Sequence, residues 1–221
     1  MSRQQIQTIY DRLFERFGPQ HWWPGETPFE IIVGAILTQN TNWTNVEKAI
    51  GNLKKAGVLT PDKLHALDVG ALAELIRPAG YFNIKAGRLK HFLDRLFERF
   101  EGQLDRLGAL PADRLREELL SIKGIGPETA DSIALYAFDK PVFVVDAYTG
   151  RILGRHGLLE PQAGYEEVRM LFESALPRNV RLYNEYHALL VRLGKDYCRP
   201  KPQCAGCPLE DMPHTINWQE Y

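Results

Sequence analysis

The sequence predicts an all-α protein, and three observations carry that prediction. Apolar residues recur at helical spacing over almost the whole chain, and capping residues or glycine–proline breaks bound most of these stripes. A single short apolar run, Val142-Phe143-Val144-Val145, offers the one candidate strand, and it reads as an extended connector. One strand cannot make a sheet, so helices must bury the core.

The elements follow in order. Ile6, Ile9, Tyr10, Leu13, Phe14 and Phe17 form the first stripe, stopped by Gly18-Pro19. Thr27-Pro28-Phe29-Glu30 is a capping box with proline at the first helical position. The helix it starts carries Phe29, Ile32, Val33, Ile36 and Leu37, and the polar break Gln39-Asn40-Thr41-Asn42 ends it. The next helix runs from Trp43 to Leu53, with Gly57 beyond its end. Short helices are expected near 61–67 and 70–77, before the break Pro78-Ala79-Gly80. A longer one spans about 84–100, with Ala86, Leu89, Phe92, Leu93 and Leu96 inward. Helices near 112–121 and 128–138 flank a Gly-Ile-Gly turn. Three more patterns lie near 147–156, 164–176 and 180–195, and a Pro/Cys-rich loop begins at Lys195.

Composition bounds the function. The chain has 221 residues, is 44% hydrophobic and 25% charged, and so is globular, with room for one large domain or two small ones. Its formal net charge is -1, so any surface for nucleic acid must be a local one. No apolar run reaches membrane-spanning length, and the first residues lack an apolar signal core. The expected location is therefore the cytoplasm, with no membrane partner. All three cysteines lie between Cys198 and Cys207, an odd and tightly spaced set that reads as metal binding rather than disulfides.

The most informative stretch is Leu120-Ser121-Ile122-Lys123-Gly124-Ile125-Gly126-Pro127-Glu128-Thr129-Ala130-Asp131. Two glycines flank one apolar residue between two helices, a turn that can aim several backbone N–H groups at a phosphate. Pro127 suits the first helical position and Glu128 the positive end of the helix dipole. An ordinary helix–turn–helix connection has the same pattern. Asp146, fifteen residues on, ends the apolar run as a lone carboxylate. It can cap the helix beginning at Ala147, face a developing cation, or do both.

Taken in order, the Gly-Ile-Gly hairpin, Val144-Val145-Asp146, Leu37-Thr38-Gln39-Asn40-Thr41 and the Cys-rich tail resemble the helix-hairpin-helix DNA glycosylases of the endonuclease III superfamily. Trp22-Trp23-Pro24 together with the segment at Leu37 looks most similar to its bacterial 3-methyladenine DNA glycosylases. The resemblance implies a base-excision enzyme acting on double-stranded DNA that contains a damaged base, with Asp146 as the catalytic group. It implies DNA contacts at Gln39, Tyr81, Lys85, Lys123, Gly124, Ile125, Gly126 and Thr129. Gln39 and Tyr81 are the candidates to fill the hole left by a flipped base. For Gln39 a helix C-cap bond is the plain alternative; for Tyr81 it is docking onto the core. Lys85 is a phosphate contact or a surface lysine.

Trp22, Trp23 and Trp43 stand at helix entries and, by the resemblance, line the base pocket with Glu128. An aromatic face attracts the cationic ring of an alkylated purine by about 0.5–2 kcal/mol; the alternative is that the indoles plug the core. Bifunctional members carry a nucleophilic lysine where this chain has Glu128, which argues for a glycosylase that uses water and does not cleave the strand. The tail reads Cys198-x5-Cys204-x2-Cys207, one residue shorter in the first gap than the family's iron–sulfur loop, with Pro213 where the last cysteine belongs. The reading favoured by the resemblance is a [4Fe-4S] cluster with His214 as fourth ligand; a Cys3His zinc site and no metal at all are the alternatives. The other histidines, His21, His65, His91, His156 and His187, show no spacing for a metal or a triad and read as surface or core residues.

The expected organisation is two domains, 21–135 with the hairpin and 1–20 joined to 136–221, forming a monomer with its site in the cleft between them. Rival readings are a bifunctional glycosylase and lyase for oxidised pyrimidines, and a non-catalytic DNA-binding module of the same helical motif.

Overall fold

The computed structural model describes residues 2–160 and 162–216, and every regular element among them is helical. In chain order they are α1 (Arg3–Phe17), α2 (Pro28–Thr38), α3 (Trp43–Lys55), α4 (Pro61–Ala66), α5 (Val69–Leu75), α6 (Phe82–Phe100), α7 (Leu104–Gly108), α8 (Ala112–Leu120), α9 (Pro127–Ser132), α10 (Ala147–Arg155), α11 (Tyr165–Ala175) and α12 (Val180–Asp196). None is long and apolar enough to cross a membrane. The all-α expectation holds.

Two compact units form, one from Met1–Trp22 with Pro141–Tyr221 and one from Trp23–Lys140. The boundaries lie at 22/23 and 140/141, where the sequence reading expects 20/21 and 135/136. The continuous unit is built around α2. Ile32, Val33, Ile36 and Leu37 are fully buried there, and α3, α6 and α9 pack against it. Such burial requires an apolar surface, which Pro28–Thr38 supplies save at buried Glu30, paired with Lys54 at 2.9 Å. On α6 the inward set is the expected one, with Ala86, Leu89, Phe92, Leu93 and Leu96 buried.

Two details depart from the pattern. The helix expected over 128–138 is α9 followed by a wide, π-type turn at Ile133–Ala137, whose five residues are all buried. A short helix, α7, lies between the helices expected at 84–100 and 112–121. The connector 141–145 forms no strand, as expected.

In the other unit α1 packs against α11 and α12, and α10 packs against α12. Ile6, Ile9 and Leu13 are fully buried, and the Tyr186 hydroxyl donates to the Ile6 carbonyl at 2.7 Å. Phe143 anchors the connector here. Its ring stacks on Phe172 at 4.0 Å with Tyr183 and Tyr186 edge-on, and its N–H donates to Glu173 at 2.9 Å. That anchor, three residues upstream, fixes where the Asp146 backbone emerges.

Candidate active site and hairpin

Asp146 is the N-cap of α10, and its side chain is 11% exposed. Oδ1 accepts from the Thr149 N–H at 2.8 Å and from the Thr149 hydroxyl at 2.9 Å. Oδ2 lies 3.4 Å from Nε2 of the buried His187 on α12. Burial pushes the Asp146 carboxyl up, but the His187 hydrogen bond and charge and the two Thr149 donors outweigh it, leaving the group below the usual carboxylate value. It is therefore charged at neutral pH and can face a cation. His187 had no signal in the sequence, because its partner is 41 residues away on another helix.

The hairpin joins α8 to α9. Gly124 has φ +93°, and a Cβ there would stand 2.5 Å from Arg88 Cγ, so both backbone and space demand glycine. His91 Nδ1 donates to the Lys123 carbonyl at 3.0 Å. Arg88 and His91 of α6 thus buttress the turn; neither stood out in the sequence. Lys123 and Gly126 are exposed, and Glu128 is an exposed residue of the first turn of α9. The amides of Glu128 and Thr129 fall where a helix has no preceding carbonyl to accept them. Ile125 corrects the expectation. Its side chain is buried and its N–H closes the turn onto Ile122 at 3.0 Å, so it anchors the hairpin and neither its side chain nor its N–H is turned outward. The Thr129 side chain is buried as well.

Gln39 is tied to this turn. Its Nε2 donates to the Gly124 carbonyl at 3.1 Å and to Thr129 Oγ1 at 2.9 Å, while Arg88 donates to its Oε1. It makes no C-cap bond to its own helix. Asn40 and Asn42 are the exposed residues of that loop, and Asn40 is held at φ +53°. Tyr81 is 68% exposed at φ +45°, so it is not docked on the core.

Lys85 overturns its reading as a phosphate contact or surface lysine. It is 1% exposed, and Nζ donates to the Leu37 carbonyl at 2.8 Å and the Ala79 carbonyl at 2.7 Å. Burial first, and Arg88 second, lower its pKa to about 8. Those carbonyls lie two residues before Gln39 and Tyr81, so one buried ammonium braces both turns.

Trp23 meets Trp43 edge-on at 5.2 Å and Tyr136 at 5.1 Å. They gather over Gly34 of α2, where a Cβ would touch Trp23 Nε1 at 3.4 Å and Trp43 Cη2 at 3.5 Å. Trp43 Nε1 donates to Glu47 at 2.8 Å. Tyr136 belongs to the π-type turn, which no sequence signal announced. Trp22 is part of the other unit, with the Lys195 ammonium 5.6 Å over its ring.

The three cysteines follow α12. Arg151 donates to the Cys198 carbonyl at 2.8 Å; Arg155 donates to Cys198 Sγ at 3.3 Å and to the carbonyls of Arg199 and Pro200 at 2.6 and 2.9 Å. Cys198, Cys204, Cys207, His156 and His214 line one pocket. His214 Nδ1 donates to the Met212 carbonyl at 2.8 Å, which orients the ring as second-shell bonds orient ligand imidazoles. Among the described residues no three such side chains gather closely enough for one ion. Burial raises the Cys207 thiol, with the neighbouring Cys198 and Cys204 adding to the shift. Soft thiols around one pocket are the donor type an iron–sulfur cluster takes.

Comparison with known proteins gives concordant results. Residues 33–178 match the family described as "HhH-GPD superfamily base excision DNA repair protein". A curated relative in Methanocaldococcus jannaschii, named "Putative DNA repair glycosylase MJ1434", is 48% identical over 95% of this chain and 96% of its own. The H. pylori 3-methyladenine DNA glycosylase MagIII, solved bound to 1,N6-ethenoadenine, is 29% identical with a TM-score of 0.73, over 88% of this chain and 98% of that one. A non-covalent endonuclease III–DNA complex superimposes with a TM-score of 0.83 at 25% identity, over 96% of this chain and 95% of that one.

Proposed function

The chain belongs to the HhH-GPD superfamily of base excision DNA repair proteins, and from that membership we propose that it is a monofunctional DNA glycosylase for alkylated purines of the 3-methyladenine kind in duplex DNA. The observation that carries the reading is Asp146, a carboxylate kept charged at a helix start. As the bond between C1′ and the base breaks, positive charge grows on the sugar, and this anion stabilises it. A cationic alkylated base takes the bonding electrons and leaves neutral. Water adds its oxygen to C1′ and releases a proton, giving a free base and an abasic site.

Three features support the finer claims. Glu128 occupies the place of the lysine that would attack C1′, and a carboxylate cannot form an imine. Trp23, Trp43 and Tyr136 offer aromatic faces to a cationic ring. The hairpin residues Lys123, Gly124, Gly126 and Thr129 hold a phosphate, and Tyr81, with Gln39 holding its own loop to the hairpin, enters the helix stack. Cys198, Cys204, Cys207 and His214 would hold a [4Fe-4S] cluster, whose part is to tie down the tail.

The test is a panel of duplexes, each with one lesion, assayed with and without alkali. We expect alkylated purines to be excised, strand cleavage to need alkali, and borohydride to trap no enzyme–DNA adduct. Efficient trapping would show an amine such as Lys123 forming the imine. Excision of oxidised pyrimidines alone would overturn the substrate class.

A further inference from the structure

We propose that His187 is the positioning residue of the site, fixing Oδ2 of Asp146 while Thr149 fixes Oδ1. The inference rests on the glycosylase reading above and adds a residue to it. A helix cap needs one carboxylate oxygen, and here both Thr149 donors go to Oδ1. The second oxygen is not used by the cap, yet a 5% exposed imidazole from a different helix stands 3.4 Å from it. Ion-pair reach between two largely buried groups, on α10 and α12, is costly to build for capping alone.

The packing around the pair serves this approach. Two turns after His187, Gly194 receives the Tyr148 ring; a Cβ at 194 would stand 2.2 Å from Tyr148 Cδ1. That missing side chain lets α10 come down on α12 beside the carboxylate. The titratable and charged groups near the pair include Tyr148, which feels the Asp146 charge, Arg151 against the Tyr148 ring, and Tyr165 of α11, whose hydroxyl accepts from the Val145 N–H at 3.4 Å. Tyr148, Tyr183 and Tyr186 are each held above the ordinary tyrosine value, chiefly by burial, and stay neutral. Arg151 directs its guanidinium to the Cys198 carbonyl and the Tyr148 ring. His187 is thus the group that meets Oδ2. At 3.4 Å it limits how the carboxylate turns, and when it carries its proton it favours the anion over the acid.

The experiment compares His187→Leu, which removes the donor, with His187→Gln, which keeps one. In the full-length protein, the Asp146 carboxyl is titrated by carbon NMR, which needs no substrate. Single-turnover excision of an alkylated purine is then followed against pH. We expect the Leu variant to titrate about one unit higher than wild type, as loss of a neighbouring positive charge does. Its excision should fail at correspondingly higher pH on the acid side, and binding to an abasic-site duplex should stay within about twofold. The Gln variant should lie closer to wild type in both. A carboxyl titration that does not move in a folded Leu variant overturns the proposal. Should His187→Leu not fold, His187→Phe supplies a ring of similar shape, and the same two outcomes decide. If the titration moves but wild type excises nothing from the lesion panel, the glycosylase reading fails and the contact to Asp146 stands.

Discussion

Single residues divide into those the fold needs and those the chemistry needs. Asp146 is both, and Asn separates the roles, because Asn caps a helix about as well as Asp but carries no charge. Asp146→Asn should keep its melting temperature within about 2 °C and still bind DNA. Its single-turnover excision should fall on the order of a hundredfold or more; a loss of only a few-fold would reduce Asp146 to a cap. The hairpin glycines make a second such pair. Gly124→Ala meets both a positive φ and Arg88, and should cost about 1–3 kcal/mol in denaturant unfolding. At Gly126 the backbone is extended and a Cβ would touch nothing within 4 Å. Gly126→Ala should therefore unfold like wild type yet bind duplex DNA more weakly, if a phosphate approaches that backbone. Equal affinity would remove Gly126 from the contact surface. Lys85 gives a pH signature. Its folded value of about 8 lies below the ordinary lysine value of about 10.4, so between these the unfolded chain holds a proton the folded chain lacks. Stability from this group therefore rises with pH across that window. Comparing wild type with Lys85→Met from pH 7 to 10, the wild type should gain on the variant as pH increases.

Secondary elements were the most legible level, because periodicity and caps are local. The Thr27-Pro28 start, the α6 inward face and the Asp146 cap all follow from neighbours within one or two turns. The π-type turn at Ile133–Ala137 was not legible: its residues are apolar in any helical register, and the widening is set by what packs around them. The same limit hid Tyr136, His187, Arg88 and the burial of Lys85. Each depends on a partner tens of residues away, and a lone Lys or His has the same appearance whether it faces water or a carbonyl. The cysteine loop was legible as a cluster of donors but not in its ligand count, since Pro213 breaks the pattern. Protein purified without oxygen should be brown. Cys204→Ser should destabilise the unit containing α12 more than it alters base choice, as read by chemical unfolding and the lesion panel. Colourless, zinc-containing protein would point to a Cys3His site instead.

At the level of the whole chain, the two units differ in how they are threaded. Trp23–Lys140 is one uninterrupted stretch, whereas the unit holding Asp146 is assembled from Met1–Trp22 and Pro141–Tyr221. Expressed alone, residues 23–140 should unfold cooperatively, because their helices pack on α2 within the same stretch. The segment 1–22 has no such independence: its buried stripe of Ile6, Ile9 and Leu13 belongs to the unit completed by α11 and α12. During synthesis the ribosome must therefore make more than 140 residues before that stripe finds its partners, while the central stretch can already be folded. Until then the newborn chain carries an exposed amphipathic helix ahead of its folded core. It is a natural client for chaperones that hold nascent chains, and loss of α11 and α12 would leave a folded core with α1 exposed and unpartnered.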